Sequence, residues 1–294
     1  MQFIIKLHPE IIMKSRRVRK RFTFLLEGNV RRIFELNHLS VEVVSFWDKL
    51  GLKVNPQSLD KQNDIIDLLQ RIPGIDQILL VQESKFTNLQ DICKQVKQIW
   101  QQLLLGKSFA VRVKRRGEHP FSSMELERYV GGYLKQNCDT NGVNLNAPDL
   151  TIEFEVNDNT LTQNHRRIKC LGGMPLPTQE EVVSLVSGGY DSGVATYQMI
   201  RRGARTHFCF FNMGGREHEI GVKQVSYCLW KRYSESHRVK FVAVDFAPVV
   251  ADILENVNNS QMGVVLKRMM LRAASKVADK LAINALVTGE SLGQ

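Results

Sequence analysis

Residues 187–192 read Ser-Gly-Gly-Tyr-Asp-Ser, after an apolar run at 182–186 and before an apolar, helix-periodic segment. Gly188 and Gly189 let backbone N–H groups converge on an anion without Cβ interference. Ser187 and Ser192 add hydroxyl donors, and the following helix presents its positive end to the same point. Asp191 repels phosphate, so its chemistry is to hold Mg²⁺ or to orient the loop. The bland alternative is a tight strand-to-helix turn capped by Ser or Asp. Two familiar phosphate motifs fail: Gly106-Lys107-Ser108 resembles the end of a Walker loop, but position 101, where its first glycine belongs, is Gln101, and no GxGxxG is present.

The elements around this loop read as follows. From 182 onward, strands (182–186, 206–211, 239–245, 285–288) alternate with helices (194–202 with Gly203 as C-cap, 220–233, 263–281), which implies a parallel sheet covered on both faces. Ligands in such sheets sit outside the carboxyl ends of strands, where 187–192 lies. Residues 171–178 hold two glycines and two prolines and read as a linker. Before it, a strand at 2–6, a basic helix at 15–34 with Ser15 as N-cap, strands at 41–47 and 52–54, a helix at 60–69 and a strand at 78–81 give the order β-α-β-β-α-β of a ferredoxin-like unit, with Trp47 in its core. A helix at 89–105, a strand at 109–114, a helix at 122–136 capped by Ser122 or Ser123 with Glu125, a strand at 150–156 and a weaker one near Leu161 form a second unit.

The chain has 294 residues, 43% of them hydrophobic, and a formal net charge of +10. Its pI is about 9.4. That balance favours a polyanionic partner without choosing among RNA, DNA and membrane. Residues 1–180 carry 26 Lys/Arg against 20 Asp/Glu, a net +6. Three clusters are candidate RNA contacts: Lys14, Arg16, Arg17, Arg19, Lys20 and Arg21; Lys114, Arg115 and Arg116; and Arg166 with Arg167. The alternative is a solvated face. Five scattered cysteines without CxxC spacing argue against a disulfide framework; Cys209 and Cys228 read as buried packing residues. No run is apolar enough for a membrane span or signal peptide, and the reading is a cytoplasmic protein.

Ser187-Gly-Gly-Tyr-Asp-Ser192 is similar to the SGGxDS phosphate loop (PP-loop) of ATP-pyrophosphatases. With a basic middle unit carrying Phe109-Ala-Val-Arg-Val-Lys-Arg-Arg-Gly-Glu-His119 and Arg128-Tyr-Val-Gly-Gly132, and with Lys6-Leu-His-Pro-Glu-Ile11, Phe210-Phe-Asn-Met-Gly-Gly215, Gly263-Val-Val-Leu-Lys-Arg-Met-Met270 and Thr288-Gly-Glu-Ser-Leu-Gly293, the whole chain resembles the tRNA 4-thiouridine synthetase (tRNA sulfurtransferase) family. The resemblance implies a ferredoxin-like domain (1–75), a THUMP RNA-binding domain (76–167), a linker (168–177) and an incomplete PP-loop domain (178–294). It implies that ATP adenylates O4 of a tRNA uridine and that a protein persulfide, supplied by a cysteine desulfurase, delivers sulfur to C4, with a further role in supplying sulfur for the thiamine thiazole.

The family's site residues map onto Leu185 and Val186 beside the nucleotide, and onto Ser187, Gly188, Gly189, Tyr190, Asp191 and Ser192 around the phosphates, with Asp191 catalytic and on Mg²⁺. Lys267 maps onto an ATP-contacting lysine; the alternative is a solvated lysine on a helix face. Gly289 maps onto a nucleotide-contacting backbone position, or else is an ordinary turn glycine. The family's sulfur-carrying cysteines fall beyond Gln294, so the chain reads as C-terminally truncated. The alternatives are a PP-loop ligase adenylating a small molecule and a non-catalytic tRNA-binding fragment. The oligomeric state stays open, a homodimer among the options.

Overall fold

A computed structural model describes residues 2–54 and 61–291. In chain order the elements are β1 (Gln2–Leu7), α1 (Pro9–Ile12), α2 (Arg16–Leu36), β2 (Val41–Ser45), β3 (Lys49–Val54), α3 (Gln62–Gln70), β4 (Ile75–Lys85), α4 (Leu89–Trp100), β5 (Phe109–Arg116), α5 (Ser123–Asn137), β6 (Leu150–Asn157), β7 (Thr160–Lys169), β8 (Gln179–Leu185), α6 (Tyr190–Arg201), β9 (Ala204–Asn212), α7 (Arg216–Tyr233), β10 (Phe241–Asp245), α8 (Ala247–Asn256), α9 (Met262–Leu281) and β11 (Leu286–Val287). They divide into two compact units. One comprises Met1–Lys6, Ser40–Gln62 and Gln77–Lys169; the other comprises Leu7–Leu39, Asn63–Asp76 and Cys170–Gln294.

The first unit is a seven-stranded sheet in the order β2-β3-β1-β4-β7-β6-β5. Its first four strands adopt the split arrangement of a β-α-β-β-α-β chain, with β1 between β3 and β4. β4 is long enough, at eleven residues, to pair also with β7, antiparallel, from Gln77↔Lys169 to Lys85↔Thr160. On one face α4 and α5 cover β5–β7 with a core that includes Trp100, Phe109, Val130, Leu134 and Phe154. α5 begins where expected: Ser122 Oγ accepts from Glu125 N–H and the Glu125 carboxylate accepts from Ser122 N–H, a complete capping box.

The second unit holds a parallel sheet in the order β10-β9-β8-β11. β9 is buried on both sides. Cys209 and Phe211 point to a core with Ala274, Ala278 and Ile283, whereas Phe208 and Phe210 point to one with Val186 and Val222. That explains why its sequence does not alternate. α6 is fixed to β8 by a buried hydroxyl pair. Thr196 Oγ1 donates to Ser192 O (2.7 Å), so its only proton is used and Ser184 Oγ–H must donate to Thr196 Oγ1 at 2.8 Å. Both residues are fully buried. Gly203 follows α6 at φ +90, and a Cβ there would crowd Pro175 O at 2.8 Å.

The structure departs from the expectations at several points. α6 starts at Tyr190, four residues before the expected 194, because the helix grows directly from the second glycine. α7 starts at Arg216 rather than 220, and α8 has no counterpart among the expected helices. α4 ends at Trp100, short of 105, and turns follow it. Ser15 occupies the N-cap of α2 but makes no side-chain capping bond. Trp47 is not core: it is 66% exposed in the connection between β2 and β3. Cys228 is exposed on the outer side of α7, although Cys209 is buried as expected. Residue 60, the expected start of α3, lies outside the described residues.

Replacing Thr196 by Val should leave the Ser184 hydroxyl buried without an acceptor and cost roughly 1–3 kcal/mol. Adding Ser184→Ala should recover much of that loss, because a fully apolar pair has nothing unsatisfied. Urea unfolding of the two variants measures both effects.

Candidate nucleotide site

In the parallel sheet the chain runs outward from β8 to β9 and β10, then returns to the other side of β8 as β11. The order therefore reverses between β8 and β11, and the crevice beyond their carboxyl ends is the place where such sheets bind ligands. A cavity of about 310 Å³ lies there, lined by Leu185, Val186 and Ser187 after β8, Phe210, Phe211 and Met213 around the end of β9, His218 of α7, Lys267, Met270 and Leu271 of α9, and Thr288, Gly289 and Glu290 after β11. Its walls are mostly apolar, with Ser187, His218, Lys267, Thr288 and Glu290 as the polar lining.

Of the loop residues 187–192, Ser187 lines this cavity, whereas Gly188, Gly189, Tyr190, Asp191 and Ser192 are not among its lining. Gly188 has φ +83, a conformation that favours glycine, and a Cβ on it would come within 3.1 Å of Val222 Cγ2, which would have to shift by a few tenths of an ångström. Gly189 is the N-cap of α6 and has no side chain to satisfy the first helical N–H groups; the helix has no side-chain cap bond. A helix start leaves those donors without intrahelical partners. The capped-turn alternative is therefore not what forms. The serines instead close the loop on itself through long bonds: Ser192 Oγ accepts from Ser187 N–H at 3.3 Å and donates to Gly189 O at 3.1 Å, and Gly189 N–H reaches Ser187 Oγ at 3.4 Å. Tyr190 is 95% exposed and Asp191 is exposed in the first turn of α6.

β11 comes up against this turn. A Cβ built on Gly289 would stand 2.7 Å from Ser192 Cα and closer still to the Asp191 carbonyl. Gly289 is thus a close-approach glycine, not an incidental turn residue. Beside it, Lys267 Nζ pairs with Glu290 Oε2 at 3.3 Å, both side chains about half exposed. Such a pair contributes at most about 1 kcal/mol.

His218 is a site residue that the sequence reading does not find. Its Nε2 lies 3.2 Å from Ser187 O, and a carbonyl only accepts, so Nε2 carries the proton. Its ring stands edge-on to Phe210 at 5.3 Å. The Gly214-Gly215 pair, at φ +134 and +106, starts α7 early enough to bring this histidine over the loop; an α7 beginning at 220 hides it from sequence reasoning. Among the described residues no group of three or more His, Cys, Asp or Glu is arranged to hold a metal, and no cysteine lines the cavity.

The basic clusters separate. Lys14, Arg16, Arg17, Lys20 and Arg21 are exposed along α2 and its start, whereas Arg19 donates to Ile12 O at 3.2 Å and secures the α1–α2 corner. These belong to the second unit. In the first unit strand geometry splits the β5 triplet. Lys114 and Arg116 face a cavity of about 540 Å³ together with Arg167; Arg116 pairs with Glu155 at 2.9 Å and Arg167 with Glu153 at 3.3 Å. Arg115 points to the other side and donates to His119 O and Phe121 O. Arg166 is exposed.

Residues 177–294 match the model of the thiamine biosynthesis protein (ThiI) family and residues 86–162 match that of the THUMP domain. Curated tRNA sulfurtransferases of Shewanella baltica and Shewanella sediminis are 52% and 53% identical across all 294 residues. The chain spans 61% of the length of those relatives. In fold, this chain is similar to a 4-thiouridine synthetase crystallised with RNA and bound ATP (TM-score 0.83, 22% identity, 99% of this chain and 74% of that one). It is also similar to a Pyrococcus horikoshii protein (TM-score 0.70, 19% identity, 100% and 88%). No described helix is long and apolar enough to cross a membrane.

Two measurements check this geometry. Gly289→Ala should push β11 from the start of α6 and weaken nucleotide binding at least tenfold while circular dichroism stays unchanged. At pH 7.5 a thiol reagent should modify Cys228 first; Cys93 and Cys209, buried and with thiols pushed up to about 11, should react only on unfolding.

Proposed function

We propose that this chain is the ATP-using and tRNA-recognising part of a tRNA sulfurtransferase, which activates a uridine of tRNA for conversion to 4-thiouridine. The observation that carries the reading is an apolar cavity at the point where strand order reverses, lined by Ser187 just before the uncapped start of α6. The cavity suits a purine base against Leu185, Val186, Phe210 and Met270, with phosphates at the loop. The relatives' name, and the RNA and ATP held by the similar 4-thiouridine synthetase, support the substrates.

In this reading the N–H groups of 188–192 hold the β,γ-phosphates. Lys267 leaves Glu290 and neutralises charge developing on the phosphates as O4 of the uridine attacks the α-phosphorus and pyrophosphate departs. His218 keeps the Ser187 carbonyl turned away from the anion. Mg²⁺ fits Asp191 together with phosphate oxygens better than an all-protein cage, and when bound it would supply charge neutralisation. The outer sulfur of a protein persulfide, with a cysteine desulfurase as the first donor, then attacks C4 and AMP leaves with the original oxygen; a second thiol breaks the remaining S–S bond, releasing the 4-thiouridine and leaving a disulfide. The same sulfur relay would serve thiamine thiazole formation.

We assign residues 1–75 and 76–167 to tRNA binding, as ferredoxin-like and THUMP segments, with 168–177 as linker and 178–294 as the nucleotide-using segment. Phosphate contacts from Lys114, Arg116 and Arg166, and from the cations of α2, would make binding weaken with salt.

Incubation with ATP should give AMP and pyrophosphate only when tRNA is present. Asp191→Ala should lower that release by a hundredfold or more and leave tRNA affinity within twofold. Release driven by a small molecule without tRNA, or unchanged turnover in the variant, would refute the reading.

A further inference from the structure

Helix α2 contains a glycine that its own packing does not require. Gly28 lies mid-helix and exposed, without positive φ, and a Cβ placed on it would meet nothing within 4 Å. Glycine at an exposed helix interior is unfavourable relative to alanine, with no local return here. One turn earlier on the same side stands Phe24, 73% exposed. Spacings of four, three and four place Arg17, Arg21, Phe24 and Gly28 in one line along the outer face, and all four are exposed. Residues 14–26 hold six cations (Lys14, Arg16, Arg17, Arg19, Lys20, Arg21) and no acid.

An exposed aromatic ring among cations, followed by a notch in the helix surface, has the chemistry to hold an unpaired stretch of nucleic acid. Cations neutralise phosphates, a ring stacks on a splayed base, and a missing side chain lets a sugar–phosphate backbone approach the helix. A membrane-surface helix would instead carry a continuous apolar stripe, whereas this line has one aromatic residue between arginines and a glycine. We propose that the outer face of α2 binds an unpaired RNA segment: Phe24 stacks on a base, Gly28 admits the adjoining sugar–phosphate, and Arg17 and Arg21 neutralise the flanking phosphates. The proposal rests on the tRNA reading above and adds to it a contact that is not purely electrostatic.

The test compares wild type, Phe24→Ala, Phe24→Trp and Gly28→Ala. It measures tRNA binding by fluorescence polarisation at several salt concentrations, binding to phosphatidylserine vesicles, and melting temperature. Phe24→Ala should weaken tRNA binding by about 5- to 150-fold with an unchanged salt slope, and Phe24→Trp should restore it. Gly28→Ala should raise the melting temperature by about 2 °C and yet bind tRNA severalfold more weakly; those opposite signs exclude misfolding as the cause. Wild-type tRNA affinity in both Phe24→Ala and Gly28→Ala overturns the proposal. So does a Phe24→Ala defect confined to vesicles, which would assign the face to membranes. A wild-type chain that fails to bind tRNA at all removes the tRNA reading as well.

Discussion

The first N–H groups of a helix have no carbonyl one turn back to receive them, and something else must. At α6 the cap is Gly189, which has no side chain to offer, and the serines on either side reach the loop only through bonds of 3.1–3.4 Å. The rest of the second unit follows from where this shortfall is placed. β8 ends at the reversal of strand order, the Ser184–Thr196 pair fixes the helix to the strand, the positive φ at 188 favours glycine, and the backbone of Asp191 and Ser192 leaves no room for a Cβ at 289. Ser187, at the head of the loop, lines the cavity, and in the proposed reading an anion satisfies the donors that follow it.

This arrangement accounts for a phosphate loop without its own lysine. A lysine inside the loop would reach the outermost phosphate; Lys267, on a different helix, lines the cavity and forms a half-exposed pair with Glu290. Cation and loop thus come from separate elements that meet only when the parallel sheet is complete. The site depends on the register between β8 and β11, Leu286↔Val183 and Val287↔Ser184, as much as on the loop itself.

The glycine loop between β8 and α6 and the split sheet of the first unit are legible because each depends on local sequence: paired glycines after an apolar run, strands separated by turn residues. Lys267 enters only through the resemblance. What escapes the sequence depends on partners distant along the chain. His218 reaches the cavity because α7 begins at Arg216, and Glu290 matters because α9 places Lys267 beside it. The triplet 114–116 reads as one patch, but strand pleating sends Arg115 to the opposite side, into a loop it braces. Trp47 suggests core by residue type alone; nothing local reveals that the β2–β3 connection leaves it in solvent.

The most direct test is a crystal structure of the chain with a non-hydrolysable ATP analogue. The account predicts β- and γ-phosphates within hydrogen-bonding distance of the backbone N–H groups of 188–192, the base against Val186 and Phe210, and Lys267 turned from Glu290 to the phosphates. Phosphates bound elsewhere, or a Lys267–Glu290 pair intact beside bound nucleotide, would contradict it.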